Sequence, residues 1–169
     1  ANPRKYYPVV YSRGEMQRLF KKLSGKCALM AKLQYGCGLR ISELCRLRVK
    51  DLDLERCILT IRSGKGGKDR TVPLPRSLLD QLKDHLGEVR KIYDQDRKEG
   101  RRGVYLPGRL AQKYPRAGTS WAWFWVFPAQ KLARDPREPQ ASPRRHHVMT
   151  RAYQKALNAA AEAGAIPKR

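Results

Sequence analysis

An α+β fold, mainly helical with one small antiparallel sheet, is predicted by three observations. Apolar residues recur at helical spacing in several stretches, and two short β-branched or apolar runs flank one glycine-rich turn. No internal repeat is evident at periods of about 20–50 residues, so a solenoid is excluded. Residues 1–11 contain Pro3 and Pro8 and read as an extended linker remnant. Ser12 with Glu15 makes a capping box ahead of Met16, Leu19, Phe20 and Leu23, predicting a first amphipathic helix. A second is expected over residues 26–35. Gly36 and Gly38 then permit a tight turn with close backbone approach. The third helix carries Arg40, Glu43 and Arg46 among Ile41, Leu44 and Leu47. Residues 57–62 and 70–74 read as paired strands joined by Ser63-Gly64-Lys65-Gly66-Gly67-Lys68-Asp69. Pro75 and Ser77 open a long helix whose stripe includes Leu78, Leu82, Leu86, Val89 and Tyr93, ending at Gly100. Residues 101–147, rich in proline and holding all three tryptophans, read as an irregular insertion. A last helix is expected from about Thr150 to Ala163, stopped by Gly164.

Thirty-seven Lys and Arg against fifteen Asp and Glu give a formal charge of +22. Such a chain repels itself unless a polyanion neutralises it, and nucleic acid is the usual one. Charge alone fits a ribosomal protein equally well. The chain length suits one domain. Cys27, Cys37, Cys45 and Cys57 form no Cys-x-x-Cys pair, so they are expected to be reduced, mostly buried and cytosolic. No apolar run reaches the length of about 18 residues that a membrane span requires, and no signal-peptide pattern is present. The start at Ala-Asn-Pro and the stop at Pro-Lys-Arg suggest a fragment.

Two cations attract attention: Arg40 at a helix start and Lys65 on the tip of a glycine-rich turn. Phosphoryl transfer is catalysed mostly by positioning and by stabilising charge on the non-bridging oxygens. Arginine suits that work because its planar fork holds two phosphate oxygens and stays protonated. A lysine can instead donate a proton to a leaving oxygen. Taken singly, Arg40 pairing locally with Glu43 and Lys65 as a mere soluble turn residue are the plainer readings. Their joint context decides.

Gly38-Leu39-Arg40-Ile41-Ser42-Glu43-Leu44 resembles the first conserved box of the tyrosine recombinases, and Gly64-Lys65-Gly66 the lysine of that family's β-hairpin. The segments Lys113–Gly118, Trp121–Phe127 and Arg144-Arg145-His146-His147 resemble the insertion of integron integrases. The resemblance covers essentially the whole chain. It implies a helical catalytic domain over residues 12–169, partial in extent, with residues 101–147 as the integron-type insertion. It makes Arg40 a catalytic arginine on the scissile phosphate and Lys65 the lysine that assists the leaving 5′ oxygen. It also implies a bacterial cytoplasmic protein, tetrameric on DNA when complete, using no metal and no nucleotide cofactor. The family's His-x-x-Arg box, later His or Trp, and tyrosine nucleophile have no match here; His85 is followed by Glu88, and Tyr153 reads as a helix-face residue. The fragment alone is therefore expected to be inactive.

Integron integrases bind folded single-stranded sites through protruding bases, and the resemblance implies DNA of that kind, or a duplex site, as partner. A protruding base stacks on an aromatic ring whatever its identity. Trp123 is the first candidate for that role, with His146 and His147 next. Arg144, Arg145, Lys68 and Arg70 are candidates for neutralising the adjoining backbone. The plainer reading puts Trp121, Trp123, Trp125 and Phe127 on one buried face of a strand. Both faces would then be apolar, since Phe124 and Val126 alternate with them, and that excess suggests a covered partner. Metal ligation by the histidine pair is not expected, because no Cys or carboxylate sits at usual spacing. Two alternatives stay open: another tyrosine recombinase, such as a dimer resolvase or phage integrase, and a non-catalytic basic nucleic-acid-binding module.

Overall fold

The structure, a computed structural model, describes residues 10–62 and 68–166. Helix α1 (Arg13–Lys22) starts at the expected capping box: the Glu15 N–H donates to Ser12 Oγ at 3.3 Å, and the Ser12 N–H donates to Glu15 Oε2 at 2.7 Å. Two first-turn donors are thereby satisfied reciprocally. Helix α2 (Gly25–Cys37) runs two residues beyond the expected end and closes on Gly38, whose φ of 60° is left-handed and whose N–H returns to the Gln34 carbonyl. Gly36 lies inside α2 rather than in a turn. Its expected close approach is made to Pro75, whose Cγ would stand 2.7 Å from a Cβ at this position. A short helix α3 (Ile41–Cys45) follows at once.

Strands β1 (Leu52–Asp53), β2 (Ile58–Ile61) and β3 (Arg70–Pro73) form an antiparallel sheet in chain order. The register sets Leu59 opposite Val72 and Ile61 opposite Arg70. The expected hairpin is thus present, with an added edge strand too short to show any alternation. A 3-10 turn (Arg76–Leu78) leads into α4 (Leu79–Lys98), a 20-residue helix that buries Leu82, Val89 and Asp96.

Segment 101–147 is more regular than its sequence suggests. It contains a short helix α5 (Leu110–Lys113) and a second sheet of β4 (Pro128–Ala133) paired antiparallel with β5 (Arg144–His147). The expectation of a single sheet is therefore corrected. Pro-Ala-Gln-Lys-Leu-Ala and Arg-Arg-His-His show neither alternation nor β-branching, and the pairing slips register between Pro128 and Leu132. The tryptophan run is not a strand either: Trp121–Trp123 forms a 3-10 turn, and Trp125 makes only an isolated antiparallel bridge to Arg48. Helix α6 (Thr150–Ala163) ends as expected, with the Gly164 N–H on the Ala160 carbonyl.

The main core joins α2, α3, the first sheet, α4 and α6 around Met30, Leu33, Leu44, Leu59, Leu82 and Phe127. Burying each such side chain contributes roughly 1.5–3 kcal/mol, so this cluster dominates the fold. A second cluster of Val89, Val104, Phe124 and Trp125 seats the insertion on α4, and a third packs Leu19 of α1 on Ala160 and Ala161 of α6. Tyr153, expected on a helix face, is 1% exposed and its hydroxyl donates to Gln34 Oε1 at 2.9 Å. Cys37 and Cys45 are buried and all four thiols are free. Among the described residues no helix is long and apolar enough to cross a membrane.

Candidate functional site

Arg40 is the N-cap of α3, placed there by the left-handed Gly38 two residues earlier. Its backbone N–H donates to Glu43 Oε2 at 2.8 Å and its Nη1 to Glu43 Oε1 at 2.9 Å. Arg70 of β3 adds a bidentate contact to the same carboxylate, at 2.9 and 2.8 Å. Glu43 is held down to a pKa of about 2, chiefly by the Arg70 hydrogen bonds and further by Arg40. It is thus ionised at any working pH. The Glu43 side chain is 7% exposed while that of Arg40 is 52% exposed. Arg40 therefore spends one donor on orientation and keeps the rest of its fork for an oxyanion.

Lys65 falls in segment 63–67, outside the described residues. Lys68 is exposed. The flanks of the hairpin are tied down by Arg62, whose Nε donates to Asp51 Oδ1 at 2.8 Å and whose Nη1 lies 3.5 Å from Asp69. Arg70, expected to touch DNA backbone, spends both terminal nitrogens on Glu43 with its side chain 37% exposed.

The insertion is joined to this region by a backbone seam. The Val49 N–H donates to the Phe124 carbonyl at 3.0 Å, and the Val126 N–H to the Leu47 carbonyl at 2.9 Å. Arg48, 7% exposed, locks the seam by donating to the carbonyls of Trp123 and Tyr105, both at 2.7 Å. Its guanidinium also lies 3.8 Å from the Trp125 ring centroid. Burial pulls its pKa down to about 10, with Asp51 opposing that shift. It remains charged at neutral pH.

A cavity of about 770 Å³ opens between the hairpin side and the insertion, bordered by Glu43, Lys50, Trp123, Trp125, His146 and His147 among others. Three of the aromatic candidates therefore meet Arg40's carboxylate partner at one concave site. Trp123 is half-buried, with Lys50 Nζ 3.6 Å from its ring centroid. His147 packs edge-on against Trp125 at 5.1 Å and its Nδ1 lies 2.7 Å from the Val148 carbonyl. A carbonyl only accepts, so Nδ1 carries the proton. Burial lowers the His147 pKa, leaving a neutral ring. His146 Nε2 is enclosed without a hydrogen-bond partner among the described residues.

Two other candidates are not brought to the cavity as free cations. Arg144 is 5% exposed and shares Glu138 with Arg102. Arg145 is locked to Asp96 of α4 at 2.6 and 2.8 Å, and donates to the carbonyls of Ala129 and Gln130. Both side chains are thus engaged inside the protein, Arg145 one-to-one with Asp96 and Arg144 sharing a single carboxylate with Arg102. Trp121, half-buried, packs against Phe124 and against Tyr93 of α4, so it shares a side with the Phe124 that a strand reading would set on the opposite face. Sequence reasoning missed Arg48 and Lys50. Arg48 is extended (φ −112°, ψ 156°) but Lys50 lies in the 3-10 turn Val49–Asp51, so no single local period marked the two together.

Residues 12–167 match the Phage integrase family. A protein named Integrase/recombinase from Escherichia coli is 45% identical over 166 residues, which cover 98% of this chain and 49% of that protein. Tyrosine recombinase XerA of Pyrococcus furiosus is 53% identical over 58 residues, covering 34% of this chain and 20% of that protein. The crystal structure of XerA recombinase matches with a TM-score of 0.60 at 21% identity, over 100% of this chain and 48% of that one, a likeness of fold. The chain spans about half the length of the Integrase/recombinase relatives from Escherichia coli and Pseudomonas aeruginosa. By the extent of the family match and its agreement with the fold, this chain belongs to the phage integrase family of tyrosine recombinases.

Proposed function

We propose that this chain is the DNA-contacting part of an integron-type recombinase. In complete form the enzyme would cut and rejoin strands at folded single-stranded sites, inserting or excising gene cassettes. The observation that carries this reading is the single cavity bordered by both Glu43, which orients Arg40, and the aromatic wall of Trp123, Trp125 and His147. A scissile phosphate and an unpaired base could then be held on one protein surface. In the reaction a tyrosine oxygen attacks phosphorus, forming a 3′-phosphotyrosine bond as the bond to the 5′ oxygen breaks. Arg40 would stabilise the charge on the non-bridging oxygens, and Lys65 would supply the proton that the 5′ oxygen takes up. Tyr153 does not fit the nucleophile's role, because burial raises its pKa and Gln34 holds its hydroxyl. The described residues alone would therefore bind DNA without cleaving it.

The deciding experiment uses a protein that continues this chain through the family's remaining boxes. With a hairpin substrate, Arg40→Ala is expected to abolish the covalent protein–DNA adduct while changing hairpin affinity less than about threefold, since one exposed phosphate contact contributes modestly. An adduct formed at undiminished rate would sink the catalytic assignment. A second reading is a tyrosine recombinase of another kind, acting on plain duplex, since the chain also resembles a protein named tyrosine recombinase XerA. Equal affinity for bulged and fully paired hairpins would select it.

A further inference from the structure

Lys50 is a cation at the cavity that the Arg40–Glu43–Arg70 fork leaves unused. Its Nζ rests 3.6 Å from the Trp123 ring centroid, and among the described residues it has no hydrogen bond or ion pair. The nearby carboxylates are committed elsewhere: Asp51 accepts from Arg62 Nε and from the Arg48 N–H, and Asp69 faces Arg62. Burial and then Arg62 and Arg48 disfavour the Lys50 charge, with Asp51 and Asp69 opposing them through space. Among the described residues its direct contact is the Trp123 ring, and a cation–π contact at a partly exposed ring is weaker than a charge-assisted hydrogen bond to phosphate. Arg48 cannot exchange partners in this way, because it is buried with both terminal nitrogens on carbonyls. The flexible lysine stem can.

A base stacked where Lys50 now lies would have to displace the ammonium, since one ring face cannot hold both. We propose that Lys50 is a specificity-determining residue, making the cavity take an unpaired nucleotide together with its phosphate rather than a base alone. The ammonium leaves the indole for the phosphate, and the base takes its place on Trp123. No covalent step is involved. The proposal rests on the reading of Trp123 as a stacking face.

The test measures the affinity of this whole chain for three synthetic DNA probes at fixed salt. One is a hairpin with a single unpaired purine in its stem, and one is its fully paired counterpart. The third is the bulged hairpin with neutral methylphosphonates flanking the unpaired nucleotide. The native chain is expected to prefer the bulged over the paired probe, and to lose about tenfold when the flanking phosphates are neutralised. Lys50→Met, which keeps the apolar stem, should lose less than about twofold on the same neutralisation, and Lys50→Arg should restore the sensitivity. If Lys50→Met remains as sensitive as the native chain, the proposal is overturned while base stacking stands. If the native chain binds bulged and paired probes equally, the stacking reading itself fails and the proposal with it. Thermal melting of each variant shows that the compared proteins are folded.

Discussion

Glu43 holds two guanidinium groups on one carboxylate, and the consequence for Arg70 is opposite to that for Arg40. Arg70 gives both terminal nitrogens, whereas Arg40 gives one and leaves half its side chain in solvent. The sign of the pH effect follows from the depressed Glu43 pKa. A carboxylate whose pKa falls on folding contributes stability that is full above its ordinary value of 4.5 and is lost as pH drops toward about 2. Removing Arg70 takes away the largest cause of that depression. Urea midpoints compared at pH of about 6 and about 3 should therefore drop further for the native chain than for Arg70→Ala. An unchanged pH sensitivity in the variant would show that Arg70 is not what holds Glu43 ionised. At Trp123, replacement by alanine should cost about 1–3 kcal/mol of binding to a bulged hairpin and little on the paired counterpart. Equal losses on both would make Trp123 a structural residue.

At the scale of elements, the insertion is attached by polar pins as much as by its apolar cluster. Asp96 of α4 and Arg145 of β5 form a buried bidentate pair, their side chains 3% and 12% exposed. Breaking such a pair leaves an uncompensated charge inside, which costs about 3–5 kcal/mol. Asp96→Ala should lower stability by that order in urea denaturation, and a loss under about 1 kcal/mol would mean that water already reaches the pair. Helix α6 and the capping box of α1 were legible in the sequence, because a cap, a periodic face and a stop glycine are all local signals. Strands β4 and β5 were not. Their pairing is nonlocal, and what holds it includes the Arg145 contacts to the Ala129 and Gln130 carbonyls, which no local pattern encodes.

Over the whole molecule, charge sets the interaction with a polyanion. Much of the +22 is exposed, although Arg48, Arg144 and Arg145 are largely buried. Binding of this chain to DNA should weaken steeply with salt. A plot of log Kd against log salt concentration is expected to have a slope of about 4 or more, since each neutralised phosphate contributes roughly 0.9. A slope below about 2 would mean that few of the exposed cations engage the backbone.

By itself the sequence determined the mainly helical α+β class, the positions of α1, α4 and α6, the glycine-capped entry to Arg40 and the basic surface, because these depend on local periodicity, capping and composition. It also picked out Trp123 and the histidine pair as neighbours of interest. Only the tertiary structure decided which cations remain available. Arg70, Arg144 and Arg145 look in sequence like any exposed arginine, but carboxylates 27, 6 and 49 positions away engage their donors. It also decided that Lys50 lies on Trp123, 73 residues apart in the chain. Charge is written in composition, whereas its availability depends on which partner the fold brings within hydrogen-bonding distance.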